Sequence, residues 1–147
     1  MIKKVSLLLL LVSIVPSLVF SAGLTQIEKR KIESDAVNTF HIIFDFWKDG
    51  KCADLYEHGC RKNQTSVSKE DFTNKMRKKS YEMALSWERI RDMEAEVASN
   101  KLVYVKAKIG YRKKGGGDTR FLTQTYRMVF EGDRWRIDLS KILSCPF

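Results

Sequence analysis

The chain predicts an α+β domain in which helices fill the first half and a curved antiparallel sheet of four consecutive strands fills the second. Apolar residues recur at three- and four-residue steps as far as about residue 80, and the period changes to two from Trp87 onward. Turn sequences then divide the second half into hairpins, which sets successive strands side by side. Helices first and a meander afterwards, without alternation, belong to the α+β class.

The first helix is expected over residues 24–48. Ala36, Val37, Phe40, Ile43, Phe44 and Trp47 make one broad apolar stripe, while Glu28, Lys29, Arg30, Glu33 and Asp35 occupy the rest of the surface. Asp49-Gly50 stops it by turn chemistry. Residues 52–58 read as a short second helix carrying Leu55 and Tyr56, and residues 59–67 as a polar connection. Ser68 then caps a third helix over residues 69–81. Glu70 and Asp71 suit its positive end, and Phe72 and Met76 share one face.

The strands are expected at about residues 88–98, 102–112 and 120–131, with a fourth holding Trp135, Ile137 and Leu139. The second alternates cleanly: Val103, Val105, Ala107, Ile109 and Tyr111 face one way, and Tyr104, Lys106 and Lys108 the other. Ser99-Asn100-Lys101, Gly115-Gly116-Gly117-Asp118 and Glu131-Gly132-Asp133-Arg134 supply the turns. The sheet must bury one face, and the stripe on the first helix is the obvious cover.

The N-terminus reads as a cleavable export signal over residues 1–22. Lys3 and Lys4 form the positive region, an apolar run follows over residues 5–20, and Ser21, Ala22 and Gly23 close it. A cut after Ser21 places Val19 and Ser21 at the small-residue positions. Residues 23–147 then form a single domain with a usual number of residues for one core. The implied location is periplasmic or extracellular.

Net charge is +9 for the whole chain and +7 once Lys3 and Lys4 leave with the signal. Excess positive charge outside the cytoplasm suggests attraction to anionic surfaces, such as phospholipid headgroups or acidic glycans; nucleic acid is the other anionic partner, but an exported protein seldom meets it. Lys75, Arg77, Lys78 and Lys79 form the densest basic cluster, and Lys113 and Lys114 sit at a hairpin tip. These six are the candidate anion-contacting residues. The plainer account is a solvated surface, because acids are interleaved with bases along the chain.

Export permits a disulfide among Cys52, Cys60 and Cys145, with one thiol left over and the pairing open. The thiols lack C-x-x-C spacing, so no metal site is expected, and no cofactor motif is present.

The segments Phe46-Trp47-Lys48-Asp49-Gly50, Asp54-Leu55-Tyr56 and Ser68-Lys69-Glu70-Asp71-Phe72 lead to a final hairpin whose acidic-Gly-Asp turn precedes Trp135-Arg136-Ile137. This order and spacing resemble the nuclear-transport-factor-2-like superfamily, above all its small exported bacterial members of unknown function. The likeness covers residues 27–142. It implies a cone-like fold, a bent sheet wrapped around a long helix with a concave mouth. In enzymes of that superfamily the cavity holds Asp, His or Tyr as acid–base groups; in other members it binds a ligand or is filled with side chains.

His41 and Asp45, four apart on the first helix, form one candidate acid–base pair. Tyr104 and Tyr126, with Tyr111, are candidates for pocket hydroxyls. The plainer accounts are a pair at the edge of the apolar stripe and core aromatics with a hydroxyl at the rim. The leading expectation is therefore an exported small-ligand or protein-binding accessory domain of the cell envelope, more readily non-enzymatic than catalytic. The alternative is a small cavity enzyme, an isomerase, dehydratase or hydrolase, using His41 with Asp45 or a tyrosine. A homodimer through the outward face of the sheet is a further expectation, although Lys106 and Lys108 make that face rather charged.

Overall fold

A computed structural model describes residues 23–147; the expected export signal, residues 1–22, lies outside them. Helix α1 spans Gln26–Lys48. Its start is a capping box: the Glu28 N–H donates to Thr25 Oγ1 at 3.2 Å, and the Thr25 N–H donates to Glu28 Oε2 at 2.8 Å. The helix buries Ala36, Phe40, Ile43, Phe44 and Trp47, the expected stripe less Val37, which is only half-buried. Gly50 takes φ +69°, the left-handed conformation that lets the chain reverse after the last turn.

Helix α2, Cys52–Glu57, follows, and then α3, Arg61–Ser66, in the stretch expected to be a polar connection. No residue of α3 is buried, so it carries no apolar signal in sequence. Tertiary hydrogen bonds hold it instead. Asn63 Oδ1 accepts from the Cys60 thiol at 2.8 Å and the Leu139 N–H at 2.9 Å, while Asn63 Nδ2 donates to Asp138 at 3.1 Å. The Tyr56 hydroxyl lies 2.7 Å from the Val67 carbonyl, to which it donates.

Helix α4, Lys69–Arg77, is capped by the Ser68 hydroxyl as expected, but it stops four residues short of Tyr81. Tyr81–Met83 is instead a short strand, β1, and Ser86–Arg89 a single helical turn, α5. The long strands are β2 (Ile90–Ser99), β3 (Leu102–Lys113) and β4 (Arg120–Glu131), with the short β5 (Arg134–Ile137) closing the meander. Leu139 falls outside β5, in the approach to a last turn, α6 (Ser140–Leu143), yet it is fully buried.

The fold is the α+β arrangement expected. Strands β2 to β5 pair antiparallel in chain order, and β1 adds to the other end of the edge of β3 that β2 occupies, with Tyr81 opposite Lys113 and Met83 opposite Tyr111. The sheet is therefore four strands wide. Helix α1 packs against β2 and β1 on one edge, β3 in the middle and β5 on the other edge. One straight helix can touch all of these only if the sheet curls around it. A bulge between Arg91 and Glu94, with Asp92 at φ +47°, helps to bend β2. Between α1 and the sheet, the buried core of the described residues runs from Ala36 to Cys145 along the chain.

Candidate functional site

The space between α1 and the sheet, where a cone-shaped domain can open a cavity, is filled by aromatic rings. Phe40 and Phe44 lie 4.2 Å apart between centroids, and both meet the Tyr126 ring, at 5.4 and 5.1 Å. Trp47 packs on Tyr111 at 5.7 Å. The Tyr126 hydroxyl donates to Gln124 Oε1 at 2.8 Å, and the buried Tyr111 hydroxyl has no hydrogen-bond partner among the described residues. Burial pushes both phenols far above their ordinary range, so they stay protonated at any working pH. Tyr104 lies elsewhere, half-buried on the outward face of β3 opposite Glu96.

His41 and Asp45 do share a side of α1, but Asp45 is committed to another partner. Its Oδ1 sits 2.6 Å from Arg89 Nη2, an ion pair in which the guanidinium is only 10% exposed. Lys48 also approaches Asp45 at 3.8 Å. His41 meets Phe40 edge-on and lines a shallow cleft of about 260 Å³ with Ser86, Arg89, Arg91, Asp92 and Met93. The second guanidinium nitrogen of Arg89, Nη1, is buried without a partner among the described residues. A buried arginine in this position was not legible in the sequence, where Arg89 reads as one more surface charge. The Asp45 carboxylate therefore holds Arg89 in place.

The two basic clusters come together. Lys114 Nζ donates to the Arg77 carbonyl at 2.9 Å and the Lys114 N–H to the Ser80 carbonyl at 3.0 Å, which docks the glycine hairpin on the end of α4. Arg77, Lys78, Lys113 and Lys114 thus share one end of the molecule, and a groove of about 240 Å³ runs there between Trp47, Lys48, Cys52, Arg77, Tyr81 and Lys114. Lys75 is exposed on α4. Lys79 is drawn away: its ammonium donates to the Cys145 carbonyl at 2.6 Å and fastens the C-terminal segment.

Compared with known proteins, the sequence matches no family model and no curated protein. What it can do rests on its own geometry.

The disulfide expectation needs correction. Cys52, Cys60 and Cys145 are free thiols, with no pair at bonding distance. The fold sends them to different places. Cys60 begins α3 and gives its thiol to Asn63, Cys52 lines the basic groove, and Cys145 is buried near Tyr111 and Tyr126. Burial pushes the Cys52 and Cys60 thiols up, which makes both poor nucleophiles despite the cations near Cys52. Among the described residues no group of three or more His, Cys, Asp or Glu is placed to hold a metal ion.

Proposed function

We propose that this chain is an exported accessory domain of the nuclear-transport-factor-2-like type, a non-catalytic binding module of the cell envelope that engages an anionic partner through its basic end. The observation that carries this reading is the docking of Lys114 on Arg77 and Ser80, which joins two clusters separate in sequence into one positive surface. Electrostatic attraction of this kind falls as salt screens it. The aromatic packing of Phe40, Phe44 and Tyr126 supports a role at the surface over one in the interior. The test is retention on immobilised heparin, a polyanion, at 50 mM and 500 mM salt. Retention at the lower salt alone is expected, and its loss in Lys113→Gln/Lys114→Gln. Absent or salt-independent retention would refute the reading. The N-terminal mass of the exported protein tests the leader, and a species beginning at Met1 would end that part of the proposal.

A second reading, a small cavity enzyme, draws on one observation: His41 opens onto a cleft that it shares with the buried Arg89. If it holds, His41→Ala abolishes a small-ligand thermal shift while leaving the melting temperature of the free protein intact. An unchanged ligand response dismisses it.

A further inference from the structure

Next to the basic end, the turn that joins β1 to β2 holds two apolar side chains out in solvent. Trp87 is 73% exposed and Leu85 53%, whereas the other two tryptophans, Trp47 and Trp135, are buried. Loose structure does not explain the exposure, because the turn is tied down at three points. The Ala84 N–H donates to the Gly110 carbonyl at 2.9 Å, Lys48 Nζ donates to the Ser86 hydroxyl at 3.1 Å, and Glu88 Oε2 accepts from Arg112 at 2.7 Å and from Thr119 at 3.1 Å. A rigid mount with an indole and a leucine facing water is a costly arrangement for a free surface.

The charges around it are unbalanced. Glu88 is neutralised by Arg112, Asp45 by Arg89, and Asp49 by Lys48 and Lys51. Glu82 lies opposite Arg112 across the β1–β3 pairing, and Asp118 is an exposed acid at the hairpin. Against these stand Arg77, Lys78, Lys113 and Lys114, with Arg120 over the Tyr81 ring. Ser80, where the hairpin docks, is seven residues before Trp87, a span of at most about 25 Å.

We propose that Leu85 and Trp87 are a membrane-interface wedge, and that this end of the domain docks on an anionic phospholipid surface. The proposal rests on the reading of the basic end given above and names its partner. Tryptophan favours the boundary between headgroups and acyl chains, and neighbouring Lys and Arg are attracted by anionic headgroups. A soluble acidic glycan would use the same cations but leave Leu85 in water.

The buried positions of Trp47 and Trp135 make the test local to one residue. Residues 23–147 contain the core described above and leave out the apolar run of residues 5–20, which would bind a bilayer by itself. This protein is titrated with vesicles of phosphatidylglycerol and phosphatidylcholine, and with vesicles of phosphatidylcholine alone. A blue shift of the emission and quenching by brominated acyl chains are expected with the anionic vesicles only, and both should vanish in Trp87→Phe. Leu85→Ser should weaken partitioning about tenfold, and Lys113→Gln/Lys114→Gln about 25-fold, near fivefold for each cation. Vesicle binding without a change in Trp87 emission, or unaffected by Leu85→Ser, overturns the wedge. Retention on heparin with no vesicle binding overturns it too, while leaving the basic-end reading standing. Failure to bind either one overturns both.

Discussion

Replacing Asp45 by alanine tests what that carboxylate is for. In the wild type it sits 2.6 Å from Arg89, whose side chain is 10% exposed, while its own side chain is 48% exposed. The variant leaves a nearly buried guanidinium with Nη2 newly bare and Nη1 already lacking a partner among the described residues. Removing one member of a fully buried ion pair costs about 3–5 kcal/mol, and of a surface pair about 0.2–1 kcal/mol. One partner here is buried and the other half-wet, which places the cost between those limits, at about 2 kcal/mol. In a domain of this size that lowers the melting temperature by roughly 8 °C. Arg89→Met keeps the stem packed and returns Asp45 to water and Lys48, so it should cost only about 1 kcal/mol. The double variant should be no worse than Arg89→Met alone, giving a coupling of about 2 kcal/mol in a cycle measured by urea unfolding. Two results would refute the reasoning: Asp45→Ala within about 0.5 kcal/mol of wild type, or a double variant as unstable as the two single changes added.

Other consequences follow from the same packing. Phe44→Ala empties the centre of the aromatic cluster and should cost about 3–5 kcal/mol, read by the same unfolding assay; a loss below 1 kcal/mol would mean that the interior is loosely packed. Gly110→Ala would set a methyl group 2.9 Å from the Glu88 carbonyl, a backbone atom, and should cost about 1–3 kcal/mol. Thiol titration of the native protein should label the half-buried Cys52 first, with all three cysteines reacting in denaturant; a count of one would restore the disulfide. At Asp138 burial works to raise the carboxyl pKa, but hydrogen bonds from Ser140 and Asn63 outweigh it and hold the value below the ordinary 3.8. A depressed folded pKa stabilises above the unfolded value and is lost as pH falls through the folded one. Asp138→Asn should therefore flatten the decline of the melting temperature below about pH 4, and parallel curves for the two proteins would contradict this.

The elements that sequence reveals are those that make their own signal. The stripe from Ala36 to Trp47, the Ser68 cap and the alternation through Val103, Val105 and Ala107 each state their structure locally, and the structure follows them. The capping box of Thr25 and Glu28, which fixes where α1 begins, is local as well. What could not be read depends on distant partners. Helix α3 buries nothing and exists because Asn63 reaches Asp138 and Leu139, more than seventy residues on. Strand β1 is three residues long and is defined by its register on β3. That same register brings Lys113 and Lys114 to Arg77, so the candidate surface appears only after the sheet is assembled. The burial of Arg89 likewise follows from α5 packing beside α1, which no local pattern announces.

The Asn63 linkage bears on how this protein can be produced. Asn63-Gln64-Thr65 is an acceptor sequence for N-linked sugar, and its amide nitrogen is the one that donates to Asp138. In a host that glycosylates its secretory proteins, the sugar would be added before the chain folds and would replace one of the two hydrogens on that nitrogen. The sugar would crowd the contact of Nδ2 with Asp138, while Oδ1 could still accept from the Leu139 N–H, so the secreted product should be less stable than the unglycosylated one. Changing Thr65 to alanine removes the acceptor sequence at the cost of one exposed hydrogen bond, to the Lys62 carbonyl, and leaves Asn63 free to do its structural work.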